Sequence, residues 1–231
     1  MKILAFGDSA LLVNFEQKID EATNQKVIDL ATWLKTKSEV TYLIPAYCSL
    51  TVGFDTTKHK FEQLSQLIEA FDISDQTKQN EISKTIEIPV CYADEFALDL
   101  EDVMAQTGLS KAEIIKLHTH QVFKVYMLGF IAGFAYMGAL PDQLKVSRKQ
   151  QPRKVVHEGA VGLAGVQTGI YPTDAPGGWQ IIGQCPTPMF DPSRAQPSYL
   201  QPGDVVQFKS ISRQEFSALK AVSSNREVTH D

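Results

Sequence analysis

Arginine is absent from the first half of this 231-residue chain, and glycine and proline are scarce there. All five arginines lie at or after Arg148, and residues 1–120 hold 3 of the 14 glycines and 2 of the 11 prolines. A chain so divided reads as two regimes, a regular one of helices and strands and a later one of short strands and shaped loops. Cysteine is scarce throughout. Cys48, Cys91 and Cys185 are odd in number, far apart and without C-x-x-C spacing, which excludes a disulfide framework and a structural zinc site and fits a reducing cytoplasm. Basic runs are lacking as well. With 22 Lys+Arg against 27 Asp+Glu and a net charge of −5, the chain has no phosphate-neutralising footprint, so a nucleic-acid partner is not expected. Long apolar runs are also missing. The longest uncharged stretch, Val125 to Pro141, contains three glycines and falls short of the about 20 apolar residues that span a bilayer; the amino terminus lacks the pattern of a secretory signal. No membrane or export is expected.

What is present is a core-forming chain, 43% hydrophobic and 21% charged, in the range of ordinary globular proteins. Ala10–Phe15 alternates as a strand, and Asp20 is placed to cap a helix whose face is Val27, Leu30, Ala31 and Leu34. Glu39–Ile44 and Ser49–Asp55 read as strands, Phe61, Leu64, Ile68 and Phe71 as a second helical face, and Ile82–Val90 as a closing strand. The order βαββαβ predicts an α+β, ferredoxin-like domain over residues 1–84, with the polar stretch Asp72–Ser83 as a connector. Two short helices follow. Asp99–Thr107 ends at Gly108, and Ser110-Lys-Ala-Glu113 is a capping box for a helix reaching His118. Beyond Val122 short apolar runs alternate with Gly/Pro clusters, which predicts a β-barrel over residues 85–212 and a polar tail over 213–231.

Several patterns carry chemistry. Gly7-Asp-Ser9 with the late Glu227-Val-Thr-His230 imitates an esterase triad, but a strand follows Ser9, and His230 sits on a polar tail. The turn-forming reading is preferred. His118-Thr-His120 lacks the carboxylate or cysteine spacing of a metal site, leaving His118 as an ordinary histidine or a proton-transfer group. Phe130, Phe134 and Tyr136, interleaved with glycines, line either the barrel core or an aromatic pocket. Gly165-Val-Gln-Thr-Gly-Ile-Tyr-Pro172 and Pro176-Gly-Gly-Trp-Gln180 combine turn glycines with polar and aromatic heads. Arg148 and Arg153 stand just before them and suit a carboxylate or phosphate. Neither standard nucleotide cradle occurs.

Taken together, Tyr126–Tyr136, Gln151-Pro-Arg153, Gly165–Pro172 and Pro176–Gly183, with Gly7–Leu11 and Ile44–Tyr47 upstream, resemble the signature blocks of the allophanate hydrolase subunit 1 family. That family includes the B subunits of 5-oxoprolinases and the KipI-type inhibitors of a sensor histidine kinase, and the resemblance covers about residues 3–210. It implies an amino-terminal α+β domain and a cyclophilin-like β-barrel. Ala132 stands where the family usually has proline, restoring a backbone N–H, and Gln184 stands where a basic residue is expected.

The resemblance further implies a subunit of an ATP-dependent amidohydrolase converting 5-oxo-L-proline to L-glutamate. Its partners would be the carboxyltransferase-like C subunit of 5-oxoprolinase, plus the A subunit as a third component, with ATP as co-substrate and Mg2+. The alternatives it offers are a histidine-kinase inhibitor and a subunit that hydrolyses allophanate or urea-derived amides. Prolyl isomerisation rests on the barrel alone. The implied catalytic residues are His118 for proton transfer, Arg153 for an anionic group and Gln167 for substrate orientation. Phe130, Phe134, Tyr136, Arg148, Gly165, Thr168, Gly169, Tyr171, Gly177, Gly178 and Trp179 are the implied binding residues.

Overall fold

The computed structural model describes residues 1–71 and 85–227, with side chains in the last helix given through Val222. The connector Asp72–Ser83, the start of the expected strand Ile82–Val90 and His230 lie outside the described residues. The chain divides into two compact units, 1–83 and 84–231.

In the first unit β1 (Lys2–Ala5) and β2 (Ala10–Asn14) form a hairpin, followed by α1 (Glu21–Leu34), β3 (Val40–Pro45), β4 (Ser49–Phe54) and α2 (Phe61–Glu69). Asp20 caps α1 by accepting the Thr23 N–H at 2.7 Å, as its position before the apolar face requires. Leu30 and Leu34 of α1 and Leu64 and Ile68 of α2 share one core with Leu11, Val13, Leu50 and Val52 of the sheet. The buried Asn24 side chain donates to the carbonyls of Ala46 and Tyr47, tying α1 to the β3–β4 turn.

The sheet runs β1-β2-β4-β3, antiparallel throughout. This is a ββαββα order, so the expected ferredoxin-like order needs correcting. The first three expected strands are neighbours in the order β2-β4-β3, as that pattern requires, but the edge beside β2 is held by Lys2–Ala5. The strand expected to fill that edge, β5 (Ile86–Val90), instead pairs parallel to β13 (Val205–Ser210) in the second unit. A four-residue turn brings β1 onto β2 at small loop-closure cost, whereas β5 would return across both helices and the connector.

The second unit continues with α3 (Leu100–Thr107), α4 (Lys111–His120), β6 (Val122–Leu128), β7 (Ala135–Gly138), β8 (Arg153–Val156), β9 (Ala160–Ala164), β10 (Gln167–Ile170), β11 (Ala175–Gly177), β12 (Gln180–Gln184) and β13, ending in α5 (Arg213–Glu227). Seven strands form one sheet in the order β12-β9-β10-β7-β6-β13-β5. Its two edges meet where Cys91 and Gln184 exchange backbone hydrogen bonds, both of 2.9 Å, so the sheet is a nearly closed barrel. Gln184, notable in the sequence as a departure, closes this seam with its backbone, and its side chain donates to the Glu158 carbonyl at 2.7 Å. The barrel encloses Val125, Met137, Leu163, Ile182 and Phe208 among others. A separate cluster of Phe134, Val156, Tyr171, Trp179 and Ile181 lies between the sheet and the β8–β11 ribbon.

Within the stretch read as a polar tail, residues Arg213–Glu227 form the helix α5. Ser212 and Glu215 cap it reciprocally, with the Ser212 N–H donating to Glu215 at 2.8 Å and the Glu215 N–H donating to Ser212 Oγ at 3.2 Å. Phe216 is buried against Phe96, ring centres 4.5 Å apart, and Arg213 pairs with Glu95. Its S-x-x-E signature is readable in the sequence. Among the described residues no helix is long and apolar enough to cross a membrane.

Candidate functional site

On the second unit a groove of about 360 Å³ opens between the β6–β7 turn, the segment before β8 and the β11–β12 turn. Its buried floor is Phe134, Tyr171 and Trp179, Tyr136 is half-buried beside them, and the rim carries Phe130, Arg148, Pro152, Pro176, Gly177 and Gly178. Eight residues picked out in the sequence therefore converge here: Phe130, Phe134, Tyr136, Arg148, Tyr171, Gly177, Gly178 and Trp179. The rings interlock nearly at right angles, Phe134 to Tyr171 at 5.2 Å and Phe134 to Trp179 at 5.4 Å, in the edge-to-face arrangement that ring quadrupoles favour. Of the two readings of the aromatic-glycine run, both apply: Phe134 packs as core, and Phe130 borders the groove.

Glycine is required where backbone meets ring. A Cβ on Gly177 would stand 2.1 Å from the Tyr171 hydroxyl, and one on Gly169 would meet Phe134, Trp179 and the Ala135 carbonyl at about 3 Å. Phe130 is strained, with φ of 65° although it is not glycine, and it is 58% exposed at the rim. Such backbone persists where the surroundings over-determine it and concentrates at ligand-facing positions. Burial raises the Tyr136 phenol above its ordinary pKa against the opposing charge of Arg148. Burial likewise raises Tyr171, opposed by the backbone N–H of Trp179 and by Arg148. Both hydroxyls stay protonated near neutrality.

Beside the groove lies an ionic network centred on Asp99, a residue the sequence reading used only to open a helix. Asp99 is 2% exposed and saturated with donors. Arg153 reaches its two oxygens at 2.7 and 2.6 Å, Lys149 donates at 2.7 Å and the Ile181 N–H at 2.8 Å. Burial pushes the Asp99 carboxyl up, but the hydrogen bonds from Arg153, Lys149 and Ile181 outweigh it and hold the group below its ordinary value. Lys149 also pairs with Asp102 at 2.9 Å. The network pins the groove rim to β12, helped by the Lys149 N–H on the Gly178 carbonyl and the Gln180 side chain on the Ser147 carbonyl. Arg153, expected to bind an anionic ligand, thus has both terminal nitrogens on an internal carboxylate. Asp99 was missed because a helix-opening aspartate ordinarily faces water; nothing local signals its burial.

His118 also falls elsewhere than expected. It is wholly buried inside the barrel, stacked on Phe208 at 4.3 Å. Its Nδ1 lies 2.8 Å from the Tyr92 hydroxyl and its Nε2 3.0 Å from the Thr168 hydroxyl. Thr168 donates its hydroxyl to the Gly162 carbonyl at 3.1 Å, so it accepts from His118, which places the imidazole proton on Nε2 and leaves Nδ1 to accept from Tyr92. Burial drives the His118 pKa down to about 3. A neutral, fully bonded imidazole remote from solvent is a core group, and Thr168 belongs with it.

The glycine-rich stretch likewise serves the barrel. Gly165 turns β9 into β10 with φ of 58°, and its N–H goes to the Val146 carbonyl at 2.7 Å. Gln167 and Gly169 sit in the β10 ladder opposite Gly138 and Tyr136, so these N–H groups form no anion nest and Gln167 does not line the groove. His120 bonds the Lys116 carbonyl at 2.9 Å. Among the described residues no cluster of three His, Cys, Asp or Glu suits a metal. Ser9 lies in the β1–β2 turn, where Gly7 has φ of 66°, in keeping with the turn-forming reading of Gly7-Asp-Ser9.

Comparison with known proteins places these features. The model of the carboxyltransferase domain, subdomain C and D, matches residues 1–200. The B subunit of the 5-oxoprolinase of Bacillus subtilis is 37% identical, covering 96% of this chain and 98% of that protein. A urea amidolyase of Saccharomyces cerevisiae is 22% identical over 94% of this chain but only 13% of its own length. The solved structure of TTHA0988 superposes with a TM-score of 0.79 at 32% identity, covering 88% of this chain, which spans 40% of that one. With a family model matched over most of its length and a relative matched nearly end to end, the chain belongs to the carboxyltransferase subdomain C and D family, alongside the B subunits of 5-oxoprolinases.

Proposed function

We propose that this protein is the B subunit of an ATP-dependent 5-oxoprolinase, opening 5-oxo-L-proline to L-glutamate together with partner subunits. The observation that carries this reading is the match to the Bacillus subtilis protein over 98% of its length. An amide resists water because resonance stabilises it, and phosphorylation of the lactam oxygen by ATP would make its carbonyl carbon a better electrophile for water. The described residues do not fit an ATP site. Neither nucleotide cradle motif is present, the Gly165 N–H is taken by Val146, and Lys149 and Arg153 are held by Asp99. ATP and Mg2+ are therefore assigned to the assembly, and this chain's part is to bind and orient through the aromatic groove. The barrel is read as cyclophilin-like on the family's account. The partners are the carboxyltransferase-like C subunit, plus the A subunit, of the same enzyme. Three cysteines free of disulfides suit a cytoplasmic setting.

A second reading, a subunit that hydrolyses allophanate or another urea-derived amide, draws on the similarity to urea amidolyase. The decisive experiment reconstitutes the protein with its partner subunits and measures ADP release against substrate. The expected result is release dependent on 5-oxoproline and on this chain. Release driven by allophanate alone would establish the second reading. No release with either substrate, together with inhibition of a sensor histidine kinase by the lone chain, would instead make it an inhibitor.

A further inference from the structure

Arg148, Lys149 and Arg153 stand at or beside the groove, and two of the three are committed elsewhere. Arg153 and Lys149 face Asp99 and Asp102, two cations against two carboxylates, within 2.9 Å. Arg148 differs. Among the described residues it forms no ion pair, and its guanidinium lies over the Trp179 ring, 5.9 Å from the centre. A guanidinium resting on an aromatic face keeps its in-plane N–H donors for a ligand, and two parallel N–H donors match a carboxylate. Next to this charge the groove supplies ring surface from Trp179, Tyr136 and Phe130, with tyrosine hydroxyls that stay protonated. Its volume of about 360 Å³ is at the small end for ligand sites. One uncompensated cation matches a single negative charge, whereas a polyphosphate would call on the cations that Asp99 already holds.

We propose that the groove is a subsite for a small cyclic carboxylate, Arg148 taking the carboxylate while the ring lies against Trp179 and Tyr136. This rests on the 5-oxoprolinase reading and moves the anion-binding role from Arg153 to Arg148. The Asp99 network is what makes the assignment selective, because it neutralises the neighbouring cations and fixes the rim on which Arg148 stands.

Trp179 is itself the reporter. In a Trp33→Phe background of the full chain, 5-oxoproline, its carboxamide and 2-pyrrolidinone are titrated while tryptophan fluorescence is followed. The expected result is a saturable response to 5-oxoproline and binding of the two uncharged lactams at least about tenfold weaker, the loss of a charge-assisted hydrogen bond. Arg148→Gln should weaken 5-oxoproline by about tenfold to a hundredfold and leave 2-pyrrolidinone, which has no group facing Arg148, unchanged, with Arg148→Lys recovering part of the loss. In the reconstituted assembly the same Arg148→Gln change should raise KM for 5-oxoproline and leave kcat within about twofold. No response to 5-oxoproline, equal responses to charged and uncharged lactams, or an unchanged affinity in Arg148→Gln would each overturn the subsite. Turnover of 5-oxoproline with KM unaltered by Arg148→Gln defeats the subsite alone. Binding that depends on Arg148, in an assembly that does not turn 5-oxoproline over, defeats the functional reading alone.

Discussion

Lowering the pH from about 7.5 to about 5 tests the placement of His118, because protonation is the one perturbation that acts on it without disturbing its packing. Inside the barrel its pKa is held at about 3 by burial, against 6.5 in the unfolded chain. At pH 5 the unfolded chain therefore binds a proton that the folded chain refuses. The folded pKa is depressed, so the contribution is fully present above 6.5 and is lost as the pH falls below it. Integrating the linkage from about pH 7.5 to about pH 5 gives a loss of about 2 kcal/mol, one and a half pH units at about 1.4 kcal/mol each. The second unit should then lose on the order of 1 M in its urea midpoint. The assay is urea unfolding followed by Trp179 fluorescence in the Trp33→Phe background, for the parent and for His118→Gln. His118→Gln should be less stable at both pH values, since it breaks the chain Tyr92–His118–Thr168, and its midpoint should fall less between them by that same amount. The other histidines and the carboxylates titrate equally in both proteins and cancel. Equal pH dependence in parent and variant would refute the argument and place the imidazole in contact with water.

Other substitutions test the remaining parts of the site. Asp99→Ala removes four hydrogen bonds from a buried position and should lower the stability of the second unit by about 3 kcal/mol, measured by urea unfolding. The pH dependence follows from the lowered pKa of Asp99: its contribution holds above the ordinary value of 3.8 and fades as the pH falls below it, so Asp99→Asn should flatten the acid limb of the stability curve. Gly177→Ala drives a methyl group into the Tyr171 hydroxyl and should cost about 1–3 kcal/mol; thermal unfolding shows it, and an unchanged midpoint would mean the β11–β12 turn yields freely. Phe130→Gly should be about 1 kcal/mol more stable than Phe130→Ala, because only glycine accepts φ near 65° without strain.

Local chemistry made much of this protein readable. The Asp20 cap and the Val27–Leu34 face specify α1, and the Ser110–Glu113 box opens α4, because caps and faces are decided within one or two turns. The groove was one of two readings that composition offered. Aromatic residues set between glycines and a Pro-Gly-Gly turn mark backbone that must approach ring faces closely, and Gly177 under Tyr171 shows why. The capping box at Ser212–Glu215 was equally readable, and the polar composition around it drew attention away. Other features had no local sign. Ile86–Val90 has the same alternating pattern whichever sheet receives it, and the β1 hairpin decides the matter by occupying the competing edge.

The sequence alone determined that a regular amino-terminal part precedes a loop-rich barrel and that the aromatic-glycine segments bring backbone close to rings, as core or as pocket. These follow from conformational preferences of neighbouring residues. Tertiary structure alone decided which charged and polar groups remain for a ligand. His118, Arg153, Gln167 and the Gly165 turn all carry suitable chemistry in the sequence, but hydrogen-bond partners from distant strands and helices claim His118, Arg153 and Gly165, and Gln167 lies in the β10 ladder away from the groove. Arg148 remains exposed over Trp179. A buried carboxylate must be neutralised and a buried N–H must be bonded, and that requirement, met from up to 82 residues away as Asp99 meets the N–H of Ile181, is invisible in any short window of sequence.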